Sequence, residues 1–169
     1  MPLDVPPIVT SALVALAAFV LMEPATYAAH RWLMHGPARR LHRSHHRHVA
    51  AGIVPRLEAN DAFPLAFAAL VVALLAVGYR VSALGALVPA CLGVTAYGAA
   101  YLFVHDVAIH RRWMPVARVT VAPRVFARLA EAHLRHHRDD GEPYGMLWWR
   151  LGAGAQASGS RPSQVPREP

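Results

Sequence analysis

Three long runs of uncharged, mostly apolar residues dominate this chain: Val5–Met22, Ala62–Tyr79 and Val81–Val104. About 20 apolar residues at 1.5 Å rise carry a helix across a bilayer. The third run reaches that length alone, and the first two reach it with their flanks. The remaining residues, mostly Arg, His, Pro and Gly, are too few to wrap three apolar helices in a soluble fold. The pattern therefore predicts an all-α integral membrane helical bundle. Beyond the third run, Arg124–His137 has helical amphipathic spacing, with Val125, Phe126, Leu129 and Leu134 on its apolar side, and reads as a helix lying in the interface. Trp148 and Trp149 suit an interfacial anchor. From Gly152 the chain turns Gly/Ala/Ser/Pro-rich, so residues 1–151 read as one membrane domain and 152–169 as a disordered tail. The first run has no Lys or Arg before Arg31 and no small-residue cleavage site after it, which predicts a retained helix rather than a signal peptide.

Charge fixes an expected orientation. The formal net charge is +7, and all 17 basic residues are Arg. Six lie between Arg31 and Arg56 and ten between Arg111 and Arg167, with only Arg80 between the second and third runs. Such sorting by side is what the positive-inside rule describes, so the Arg-rich segments are expected in the cytoplasm of a cytoplasmic-membrane protein. A nucleic-acid partner is not expected. Three passes, with Pro89 kinking one long third helix, put every histidine on the cytoplasmic face together with the C-terminus. A fourth pass split at Pro89 would separate His42 from His133; two passes plus a re-entrant pair would not. The lone Cys91 lies inside the third run, which leaves neither a disulfide nor a thiolate metal site.

Ten of the eleven histidines follow one grammar stated twice. His30-Arg-Trp-Leu-Met-His35 is an H-x4-H, and His42-Arg-Ser-His45-His46 an H-x2-H-H. His105-Asp-Val-Ala-Ile-His110 and His133-Leu-Arg-His136-His137 repeat the two forms. Positions i, i+3 and i+4 share a helix face, so each H-x2-H-H is expected to aim three imidazoles at one point. An H-x4-H pair is about 140° apart on a regular helix and does not easily chelate one ion. Such pairs serve two neighbouring ions, or one ion where the helix frays. Ten imidazoles suit two ions of about five ligands each, and spacing alone leaves iron, zinc, copper and nickel open. His48 falls outside the grammar.

The boxes, together with Met22-Glu23, Glu58-Ala-Asn60-Asp61, Thr95-Ala-Tyr97-Gly98 and His105-Asp106, resemble the β-carotene 3-hydroxylases. Those enzymes lie within the fatty acid hydroxylase/sterol desaturase superfamily of membrane non-haem di-iron proteins. The resemblance covers roughly residues 20–150. It implies two iron ions held by His30, His35, His42, His45, His46, His105, His110, His133, His136 and His137. It also implies dioxygen-dependent hydroxylation at carbon 3 of the β-ionone ring of a carotenoid. Another lipid or sterol hydroxylase or desaturase is the nearest alternative reading. A histidine-rich metal transporter is a different one, but it would carry ligands near mid-membrane, where these runs carry none. No flavin, haem or nicotinamide motif is present, so electrons are expected from another protein, and an acidic ferredoxin suits the Arg-rich face. Asp106, taken as the catalytic candidate, adjoins His105 and could fix its tautomer. Glu23 either hydrogen-bonds near the site or pairs with Arg at the interface. Asn60 and Asp61 allow similar roles or simple helix capping. The small residues Gly93, Ala96, Gly98, Ala99 and Ala100 allow either close helix packing or room for a polyene.

Overall fold

The computed structural model describes residues 7–112 and 123–148, and it is helical throughout its regular parts. Helix α1 (Pro7–Ala28) continues as a π-helical segment, Ala29–Met34, and a turn leads to α2 (Arg39–Ala50). A loop and a short 3₁₀ turn (Ala59–Asp61) start α3 (Ala62–Arg80). Helix α4 (Leu87–Leu102) runs into a second π-helical segment, Phe103–Ile109, and α5 spans Pro123–Asp139. Among the described residues, three helices are long and apolar enough to cross a membrane: Pro7–Met34, Ala59–Arg80 and Leu87–Ile109. Their outer faces leave Leu13, Leu16, Leu65, Val72 and Leu92 exposed, the surface lipid would cover. The proposed tail from Gly152 and Trp149 lie outside the described residues.

Helix α4 packs between α1 and α3. Glycine permits the closest approach: a side chain at Gly93 would meet the Ala15 carbonyl oxygen of α1 at 2.0 Å. Gly98 faces open space instead, so the small residues of this helix do not share one purpose. The third apolar run does not form one kinked helix from Val81. Residues 81–86 make the connection between α3 and α4, including a 3₁₀ turn, and Pro89 sits in the first turn of α4. A proline there costs nothing, because first-turn N–H groups lack intrahelical partners anyway.

Spans one and three both end on the side where α2 and α5 lie, and the second span begins there. This topology gathers all the histidines at one end of the bundle. Helix α5 extends slightly beyond the expected segment. Leu129 is buried with Val104 and Met146, and Phe126 packs against them, but Leu134 is exposed.

Candidate metal centre

The H-x4-H pairs lie on π-helical segments, and that resolves their awkward spacing. In such a segment the N–H of residue i+5 bonds to the carbonyl of residue i, which stacks the two residues. The His35 N–H donates to the His30 carbonyl at 3.0 Å, and the His110 N–H to the His105 carbonyl at 2.9 Å. Each pair thus points to one place, which a regular helix would not allow.

The ten box histidines form two groups of five. His30, His35, His42, His46 and His136 make one, and His45, His105, His110, His133 and His137 the other. Within each, one nitrogen per ring lies within 4.8 Å of all the rest. Each group takes both members of one H-x4-H and the outer two histidines of the H-x2-H-H that follows it. Its fifth member is the middle histidine of the other H-x2-H-H. The expectation that each H-x2-H-H aims three rings at one point is therefore corrected. On a helix, positions i+3 and i+4 lie about 100° apart, on opposite sides of position i. Two centres side by side can divide them.

The inward-facing atoms are Nε2. His30 and His42 approach Nε2 to Nε2 at 3.0 Å, His42 and His46 at 3.1 Å, His45 and His105 at 3.2 Å, and His110 and His133 at 2.8 Å. Five of the outward Nδ1 atoms meet hydrogen-bond acceptors, whereas that of His137 is buried without one. His42 Nδ1 donates to Asn60 Oδ1 at 2.8 Å, His45 to Glu58 Oε1 at 2.8 Å, and His105 to Asp106 Oδ2 at 3.1 Å. His30 Nδ1 donates to the Tyr144 carbonyl at 2.9 Å, and His136 to the Gly141 carbonyl. With the proton held on Nδ1, the Nε2 lone pairs face one another without a hydrogen between them. Lone pairs so arranged repel unless a cation lies among them, and outer partners of this kind orient metal-ligating imidazoles.

Burial holds His42 down at about 3, His136 at about 4 and His110 at about 2. Those rings are neutral near pH 7, the form that binds metal. Burial raises the Glu58 carboxyl, but hydrogen bonds from His45 and His48 and the charge of Arg112 outweigh it and hold it at about 2. Glu58 is thus an anion touching the second group through His45. His48 donates to its other oxygen at 2.9 Å and belongs to neither group.

Asp106 does not reach the convergent nitrogens; it holds His105 and accepts from Arg112 at 2.7 Å. Its place is that of a positioning residue. Arg112 also grips both Asp61 oxygens at 2.8 Å. Asp61 accepts the Glu58 N–H at 2.9 Å as well, so capping and ion pairing coexist in one side chain. Asn60 serves His42 directly. Among the described residues, Glu23 makes no ion pair with an arginine and no hydrogen bond with a histidine. Its Oε1 accepts the N–H groups of Met146, Leu147 and Trp148 at 2.8, 2.9 and 3.0 Å, and its Oε2 accepts the Tyr97 hydroxyl at 2.6 Å. The carboxylate thereby straps the segment after α5 to α1, and that segment supplies the Tyr144 and Gly141 carbonyls. Sequence reasoning assigned no role to Glu58, Arg112 or this strap, since carbonyl partners leave no side-chain signature.

The chain matches the fatty acid hydroxylase family over residues 15–151. A β-carotene hydroxylase of Paracoccus sp. (strain PC1) is 38% identical over 140 residues, covering 80% of this chain and 79% of that protein. The chloroplastic β-carotene hydroxylase 1 of Capsicum annuum is 40% identical, covering 79% of this chain but 42% of its own length. The chloroplastic β-carotene 3-hydroxylase 1 of Arabidopsis thaliana is 36% identical, with 79% and 42% covered. This chain therefore spans less than half the length of these plant relatives. No solved structure matches significantly. A match running from α1 through the last histidine box, with a bacterial relative aligned along most of both chains, makes this protein a member of the fatty acid hydroxylase family.

Proposed function

We propose that this protein is a membrane di-iron monooxygenase that hydroxylates carbon 3 of the β-ionone ring, taking β-carotene through β-cryptoxanthin to zeaxanthin. The observation carrying the metal part is the convergence of ten Nε2 atoms into two groups of five, with Nδ1 atoms turned outward. The substrate part is supported by the relatives' names. His30, His35, His42, His46 and His136 would hold one ion, and His45, His105, His110, His133 and His137 the other.

Iron, rather than zinc, fits an unactivated ring C–H bond, because zinc has no redox chemistry. When bound, the iron pair would activate dioxygen with two electrons, one oxygen atom entering the substrate and the other leaving as water. The chain's own residues prepare this. The Tyr144 and Gly141 carbonyls, Asn60, Glu58 and Asp106 keep the Nδ1 atoms of His30, His136, His42, His45 and His105 protonated, which leaves their Nε2 atoms free to bind. Arg112 neutralises Asp61 and Asp106. Electrons come from a separate donor of the ferredoxin type, for which the Arg-rich side offers complementary charge. The metal end of the bundle and the C-terminus face the cytoplasm, as the Arg distribution supports.

The test is pigment analysis of an aerated, β-carotene-producing bacterium expressing the chain with a ferredoxin system. The expected products are β-cryptoxanthin and zeaxanthin. Unchanged β-carotene, with hydroxyls appearing on fatty acids or sterols, would redirect the assignment within the family.

A further inference from the structure

The two groups of imidazoles share a ligand pattern but not a surrounding. Beside the first, a cavity of about 270 Å³ is bordered by Arg39, Arg43, Arg47 and Asp140, and it reaches His35, His42 and His46 of that group and His137 of the other. Beside the second, a cleft of about 250 Å³ is lined by Val49, Ile53, Val54, Ile109 and Leu134 and reaches His45 and His110. The first opening offers little apolar surface beyond Ala50, whereas the second sets Val49, Ile53, Val54, Pro55, Ile109 and Leu134 beside Glu58, Arg111 and Arg112. Of the polar groups lining the cleft, Glu58 accepts from His45 and His48 and Arg112 holds Asp61 and Asp106, while Arg111 stands exposed at its rim.

The position of the cleft matters as much as its lining. Ile109 ends the third membrane-length helix, and the loop 51–58 leads directly into the second. On that loop Ile53, Val54 and Leu57 are 55%, 53% and 80% exposed. Three large apolar side chains so exposed at the end of a membrane span suit contact with lipid, not water. The volume is below the range of about 300–1,000 Å³ usual for a whole ligand. It suits the end of a long apolar molecule whose remainder stays in the bilayer.

We propose that the Ile53–Val54 cleft admits the apolar ring end of a lipid-borne substrate to the second histidine group, while the arginine-bordered opening serves the first group from water. The two metal positions are then alike in ligands and unlike in access. The identity of the ligand rests on the function proposed above; the position of the cleft does not.

The experiment uses the iron-loaded protein in lipid vesicles, with single substitutions Ile53→Cys, Val54→Cys and Ala50→Cys. Ala50 borders the arginine opening and serves as the reference. Native Cys91 is buried, so unsubstituted protein gives the labelling background. N-ethylmaleimide labelling is timed with and without β-ionone, the isolated ring compound. At about four times its dissociation constant, a bound ring should slow labelling at Ile53→Cys and Val54→Cys by about fivefold. Ala50→Cys should be unaffected. Protection at Ala50→Cys alone, equal protection at all three sites, or none at any site would overturn the proposal. Carotenoid conversion by the unsubstituted protein is measured in parallel. Conversion without protection sinks the cleft alone, and protection without conversion sinks the carotenoid assignment alone.

Discussion

His45 faces His105, Nε2 to Nε2 at 3.2 Å, although its own helical neighbours His42 and His46 belong to the other group of imidazoles. His136 makes the reciprocal crossing and meets His35 at 3.3 Å. Each group of five therefore draws one member from the other half of the chain. Neither half can complete a centre alone, and the two crossings fix α2 and α5 against each other at the end of the bundle.

Arg112 should be essential to the fold of this end. Its side chain is nearly buried between Asp61, Asp106 and Glu58. Removing one partner from a buried ion-pair network typically costs about 3–5 kcal/mol. Arg112→Ala should lower the thermal midpoint of the purified protein strongly. Arg112→Lys should recover only part of it, since an ammonium cannot grip both Asp61 oxygens in parallel. A midpoint unchanged in Arg112→Ala would show that the network carries no stability.

Glu23 should act on the metal end from within α1. Glu23→Ala leaves three strap N–H groups and the Tyr97 hydroxyl without their acceptor, at about 1–3 kcal/mol for each that stays buried. The strap carries the Tyr144 carbonyl that orients His30, so metal content should fall together with stability. Glu23→Gln keeps one acceptor oxygen for the strap and should be milder on both readouts. Metal content and melting temperature of the two variants check this, and equal loss in both would mean the charge itself is required.

Much of this arrangement was legible in the sequence, but its geometry was not. Three apolar runs announced three membrane-length helices, and the doubled histidine grammar announced ten ring nitrogens for two ions. The π-helical segments stayed hidden because propensity does not distinguish i→i+5 from i→i+4 bonding. Without them the H-x4-H pairs looked unable to share an ion. The crossing of His45 and His136 was hidden for a related reason: i, i+3 and i+4 do share a helix face, but that face is wide enough for two targets. Pro89 misled because a proline inside an apolar run resembles a kink, whereas here it lies in the first turn of a helix. Glu23 was marked as a candidate, but its strap was hidden because three of its partners are backbone N–H groups more than a hundred residues away.

Orientation gives a separate prediction. Twelve of the thirteen arginines among the described residues lie on one side of the three-pass arrangement, and that side should be cytoplasmic. A reporter fused to the C-terminus should be active in the cytoplasm, and the protein should resist alkaline and salt extraction. A reporter active only on the outer face would reverse the arrangement and remove the basis for a cytoplasmic electron donor.

The paired five-histidine centres are tested most directly by metal analysis of protein purified from iron-replete cells. Two groups of five imidazoles predict about two iron ions per chain. His45→Ala and His136→Ala, one from each group, should each sharply reduce that content, whereas His48→Ala should leave it unchanged. A single ion per chain, zinc in place of iron, or a loss in His48→Ala equal to that in His45→Ala would contradict the account.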